Sequence, residues 1–176
     1  DRLEILQGCS GGAAQYEEVK STYPEIISLA NQYYDLVLVD LDKEVEKEIE
    51  DEILKQSNLV IANVSQRLKS INDFIEVREQ KPLLKTNKTI VLVNRYDKFS
   101  KYNSKNISRY MKQKNEVCTI PYNTLLFEAA EEGKVPDLFL KIRTMGVDDR
   151  NGFFLSEVKK VSENIVYRLQ KLQMKM

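Results

Sequence analysis

Histidine and tryptophan are absent from this 176-residue chain, and cysteine, proline and glycine number only two, four and six. Without histidine there is no Ser-His-Asp triad, no imidazole general base and no Cys/His zinc site. Cys9 and Cys118 lie far apart and in no CxxC pair, so neither a disulfide framework nor a redox motif is written here. Two separate cysteines and no secretory leader lead us to expect a reducing, cytoplasmic setting. Charge of one sign is also missing: 27 basic residues balance 27 acidic ones. The whole-molecule charge therefore gives no argument for nucleic acid or an anionic membrane, and only local clusters can. No apolar run approaches transmembrane length, so no transmembrane segment is expected and the chain is read as soluble. The length suits one domain with a full core, and residues 1–176 are read as a single domain.

What is present is strand and helix in alternation. Residues 34–42 (YDLVLVDLD) carry four consecutive apolar residues and then two carboxylates. Such a run predicts a parallel strand covered on both faces, with Asp40 where the strand leaves the sheet. Ligands of open α/β sheets gather at the carboxyl ends of strands, so Asp40 is a candidate for Mg²⁺ or a metal-bound water, and Asp42 for a helix N-cap. A short strand is expected at 3–6, a flexible glycine turn at 8–12, and a helix from about Val19 to Tyr34 with Pro24 near its start. The glycine turn lacks the Gly-Lys-Ser/Thr of a phosphate loop, since the first lysine after Gly12 is Lys20.

Farther on, Val45, Ile49 and Ile53 form one stripe of an otherwise acidic surface helix. Residues 58–64 (NLVIANV), 89–93 (TIVLV) and 116–120 (EVCTI) predict three more buried strands. Ser65 is placed to cap a helix with Leu68, Ile71, Phe74 and Ile75 inward, ended by Lys81-Pro82. Short helices are predicted over 125–131 and 138–142, and a long one over 153–172 whose Phe154, Val158, Val161, Ile165, Leu169 and Leu172 recur at three-to-four spacing. The alternation implies an α/β fold, a mainly parallel sheet with helices on both faces. Its strand ends would deliver Asp40, Asn94-Arg95 and Pro121-Tyr122 to one edge.

The order YDLVLVDLD, SNLVIANVSQRLKSINDF, TIVLVNRYD and VCTIPYNTLLFEAAEEGKVP resembles the latter part of a MinD/ParA-type P-loop ATPase, nearest to the pilus-assembly CpaE/TadZ branch. The resemblance covers residues 3–142. It implies a partial P-loop NTPase fold in which Asp40 holds the Mg²⁺ shell through water. It also implies that Asn94 contacts adenine, with Arg95 beside the base and Pro121 and Tyr122 as the other wall. Such proteins are ATP-dependent homodimeric switches that position other machinery, here that of pilus assembly, secretion or partitioning. The family's phosphate loop is not in this sequence, and the chain starts at Asp1 directly in a predicted strand. We therefore expect the C-terminal part of a longer ATPase, which alone binds neither ATP nor Mg²⁺ tightly, because most of the affinity comes from phosphate contacts. The switch loop that usually follows the strand-end acid is replaced by Asp42, Lys43 and Glu44 leading into a helix.

Other readings stay open. Asn94, Arg95, Tyr96 and Asp97 fit the guanine-reading Asn-Lys-x-Asp pattern with Arg in the Lys position, though the Asp-x-x-Gly of GTPases is missing after Asp40. A phosphoryl-receiver domain would need an acidic pair where Gln7-Gly8 stand. A degenerate, nucleotide-free scaffold or binding module is the remaining alternative. Residues 95–114 concentrate Lys101, Lys105, Arg109 and Lys112 among aromatics, which suits non-specific DNA, a partner subunit bearing the acidic 44–52 stretch, or plain solvation.

Overall fold

A strand persists where a neighbour takes its backbone hydrogen bonds, and residue contacts divide this chain between Ser57 and Asn58 into two units that differ on that point. The computed structural model describes residues 4–6, 20–42, 45–112 and 117–174. In the first unit a 3-10 turn, Lys20–Thr22, leads into the helix Tyr23–Tyr33 (α1), whose first turn holds Pro24. The helix Lys47–Gln56 (α2) buries Ile49, Ile53 and Leu54 on one stripe and turns its acids outward, as its spacing predicts.

The strand expected at 34–42 is not formed. These residues pair with no strand, and Leu36 and Leu38 are 55% and 76% exposed. An apolar run records a tendency toward burial; it does not supply the ladder that makes a strand. Residues 4–6 are likewise not a strand. Leu3, the glycine turn at 8–12, Cys9 and Val19 fall outside the described residues.

The second unit contains the sheet. Val60–Ser65 (β1), Thr89–Tyr96 (β2) and Val117–Pro121 (β3) are parallel in the order β1-β2-β3. Leu68–Gln80 (α3) and Ser104–Tyr110 (α4) connect them. Thr124–Glu131 (α5), Val135–Ile142 (α6) and the long Arg150–Gln173 (α7) complete the unit. The α/β reading, with a parallel sheet and helices on both faces, is thereby met. Ser65 differs from expectation: it ends β1, and the N-cap of α3 is Arg67. The Ser65 N–H is instead bonded by the Ser70 hydroxyl at 3.0 Å.

The core is built on the central strand. One face carries Val91 and Val93 against Ile71 and Phe74 of α3 and Ile107 of α4, with Met111 beside them. The other carries Ile90, Leu92 and Cys118 against Val161 of α7. Ile90, Val91 and Val93 are 0% exposed, which explains why residues 89–93 are apolar without alternation. A third cluster joins Leu138 and Ile142 of α6 to Phe154 and Leu155 of α7, and thus sets where α7 begins. Arg78 is buried, stacks over Phe74 at 5.9 Å and donates from Nη2 to the Met111 carbonyl at 2.8 Å, giving a cation to the end of α4.

Candidate functional site

The site begins with a break in the ladder. β2 and β3 pair regularly as far as Val93–Thr119, shift register, and pair again at Tyr96–Pro121. Arg95 takes up the irregularity at φ 50°, the left-handed region that a non-glycine residue seldom enters. This bulge carries β2 past the predicted end at Val93 and turns the next loop over the carboxyl ends of the strands. Bulges of this kind are over-represented beside functional sites, where they re-aim side chains.

That loop is held from across the sheet. Gln66 Nε2 donates to the carbonyls of Asp97 and Tyr102, both at 2.9 Å, and its Oε1 accepts from the Asp97 N–H at 2.8 Å. One amide thus does for the loop what a neighbouring strand does for a ladder. Asp97 Oδ1 accepts from the Phe99 N–H at 2.9 Å, and the Tyr96 hydroxyl accepts from the Ser104 N–H at 3.1 Å, which ties the far end to α4.

The opposite wall is the first turn of α7. Asp149 Oδ1 caps it by accepting from Asn151 N–H at 2.7 Å and Gly152 N–H at 3.2 Å. Gly152 lies so close to the preceding loop that a Cβ there would stand 2.0 Å from the Gly146 carbonyl oxygen. Buried Asn123 fastens this turn to the end of β3: its Nδ2 donates to Asn151 Oδ1 at 2.9 Å while its own Oδ1 accepts from Leu126 N–H at 2.9 Å.

Between these walls is a cleft of about 570 Å³. Tyr96, Asp97, Lys98 and Phe99 line one side; Thr119, Pro121 and Tyr122 the floor; Arg150, Phe153 and Glu157 the other side. Its size and its mix of rings with a few charged groups suit a small ligand. Lys98 Nζ lies 5.2 Å from the Phe99 ring centre and 5.7 Å from that of Phe153, so a cation bridges two aromatic rings at the mouth.

Of the residues chosen from sequence, Pro121 and Tyr122 are in this cleft. Asn94 and Arg95 are not among its lining residues; Asn94 pairs beside Ser65 of β1, and Arg95 is exposed on the bulge. The one-residue bulge sets Tyr96 opposite Pro121, where regular pairing would set Arg95, while Asn94 lies before the bulge and is paired with β1. Asp40 is exposed on residues that form no strand, so its strand-end position is corrected too. Among the described residues no group of three or more acidic or cysteine side chains is placed to hold a metal ion. Lys101, Lys105, Arg109 and Lys112 are all exposed; Lys101 lies over the Tyr102 ring at 5.2 Å, and Lys105 and Arg109 are one turn apart on α4.

Arg150, Phe153, Glu157 and Gln66 were not singled out by sequence reasoning. Phe154 marked the core stripe of α7, and its neighbour Phe153, off that stripe, was the available signal. No family model matches the chain, and no curated protein or solved structure matches it either.

Proposed function

We propose that this chain is the C-terminal part of a MinD/ParA/CpaE-like ATPase, an ATP-dependent dimerising positioning switch, and that the cleft at the carboxyl ends of β2 and β3 receives the nucleotide base. The observation that carries this reading is the cleft's position: it opens where two parallel strands end, with Pro121 and Tyr122 in its lining. Tyr122 offers a ring to stack on a base, and Asp97 and Thr119 offer polar groups for its edge. Contacts to Mg²⁺ and to the outer phosphates are assigned to the longer protein, whose homodimer would also present the exposed cations of α4 to DNA or to its partner machinery.

Titration of the chain with ATP and GTP, followed by amide chemical shifts, tests this. Base stacking and two hydrogen bonds should give binding no tighter than about millimolar, with shifts at Tyr96, Thr119 and Tyr122, and Tyr122→Ala should remove them. Micromolar binding, or shifts elsewhere, would refute the assignment. A second reading has one observation in its favour, since Asp97 lines the cleft and Asn94 does not. A clear preference for GTP, lost in Asp97→Asn, would favour a GTPase-like parent.

A further inference from the structure

The four charged side chains in the cleft are not equally committed. Glu157 Oε1 is ion-paired with Lys160 Nζ at 2.6 Å, one helical turn away. Asp97 Oδ1 takes the Phe99 N–H. Neither Lys98 nor Arg150 is ion-paired with a carboxylate among the described residues. Glu157 has a cation of its own and Asp97 keeps its second oxygen for the edge of a base, while the two cations, one from each wall, have no carboxylate partner. The N–H groups of Asn151 and Gly152 at the start of α7 are occupied by Asp149, so an incoming anion would meet side chains rather than helix amides.

Rings surround those cations. Phe99 is 86% exposed and Tyr122 44%, and Phe153 shares Lys98 with Phe99. Solvent-exposed rings gathered beside cations without acidic partners fit a ligand that is flat at one end and negatively charged at the other. We propose that the cleft binds a planar ring bearing an anionic group, of nucleoside monophosphate size, with the ring against Tyr122 and Phe153 and the anion held by Lys98 and Arg150. This rests on the reading that a base enters the cleft, and it adds where the ligand's charge goes and which residues select for it. The walls are fixed in advance, by the Gln66 amide on the side of Lys98 and by the close packing of Gly152 on the side of Arg150. Binding then has to order only the exposed side chains of Lys98, Phe99 and Arg150 on a backbone already held.

The test uses the 176-residue chain at low ionic strength, titrated separately with AMP, adenosine and inorganic phosphate. AMP should bind at least about fivefold more tightly than adenosine, and the advantage should shrink as salt rises, since exposed charges are screened. Phosphate alone should bind more weakly than AMP. The double variant Lys98→Ala, Arg150→Ala should bind AMP no better than adenosine; both residues are exposed, and circular dichroism verifies that the fold is kept. Equal affinity for AMP and adenosine, or an AMP preference that survives the double variant, overturns the inference while leaving the base reading in place. Phosphate binding as tight as AMP removes the ring from the proposal. Absence of cleft shifts with both AMP and adenosine overturns the inference and the base reading together.

Discussion

Two apolar runs of nearly the same composition have opposite fates in this molecule. Residues 89–93 form the first five residues of β2, with Ile90, Val91 and Val93 wholly buried between α3, α4 and α7, whereas residues 36–39 leave Leu36 and Leu38 more than half exposed. What separates them is company. β2 has a strand on each side and helices on both faces; residues 34–42 have no strand partner. An isolated extended segment leaves its backbone groups to water and buries little, so hydrophobicity alone does not order it. If this is right, changes that strip the second unit of its packing should be costly, and comparable changes in the 34–42 run should be nearly silent.

The largest effect is expected at Phe154. It is 1% exposed, belongs to the cluster that seats α7 and lies 6.4 Å from the Phe139 ring centre. Phe154→Ala should cost about 4 kcal/mol, from lost transfer energy and an unfilled cavity. Urea unfolding would read this. A loss below about 1 kcal/mol would mean that α7 is not firmly packed, and the contrast between the two regions would weaken.

Next comes Gly152. An added methyl meets a backbone carbonyl, which cannot rotate away as a flexible side chain can. Gly152→Ala should cost about 2 kcal/mol as the loop before α7 is pushed back, even though alanine is the better helix former. Because Arg150 and Phe153 flank it, the same change should displace one wall of the cleft. Chemical shifts at Thr119 and Tyr122 should move in the variant before any ligand is added. Unchanged stability and unchanged shifts would show that the loop yields easily and that the wall is not preformed.

Features that depend on local pattern were legible in the sequence. The strands at 58–64, 89–93 and 116–120 appear as Val60–Ser65, Thr89–Tyr96 and Val117–Pro121, and the stripe of Phe154 and Val161 faces the core as its spacing says. Features that depend on a distant partner were not. Of the three extra residues of β2, Asn94 is held by pairing with Ser65 and Tyr96 by re-pairing with Pro121 after the bulge, which no local pattern announces. Gln66 looks like an ordinary loop residue until the fold brings Asp97 and Tyr102 within its reach. Part of the cleft was visible as strand ends, Pro121 and Tyr122; another part, Arg150 and Phe153, comes from a helix that starts about thirty residues later and was read only for its buried side. The run at 34–42 failed for the converse reason, since its local pattern was clear and its partner was not supplied.

The smallest effect, and the sharpest test of the contrast, is expected at Asp40. The sequence places it at the end of a buried strand, and in that position a carboxylate can be tied into the core by backbone hydrogen bonds. The structure leaves it exposed, and it takes part in no described hydrogen bond or ion pair. Asp40→Ala should therefore change the urea-unfolding free energy of this chain by less than about 0.5 kcal/mol, the usual range for an exposed side chain away from special contacts. A loss greater than about 2 kcal/mol would require a buried, hydrogen-bonded acid, and the 34–42 run would then have to be ordered as β2 is. The same substitution in a longer protein that carries a phosphate loop separates stability from use. If Asp40 serves the Mg²⁺ shell there, turnover should vanish while stability is kept, because a carboxylate that acts through water on a metal adds little to a core and much to the reaction. Turnover retained in that longer protein would leave Asp40 as a solvated acid in both settings.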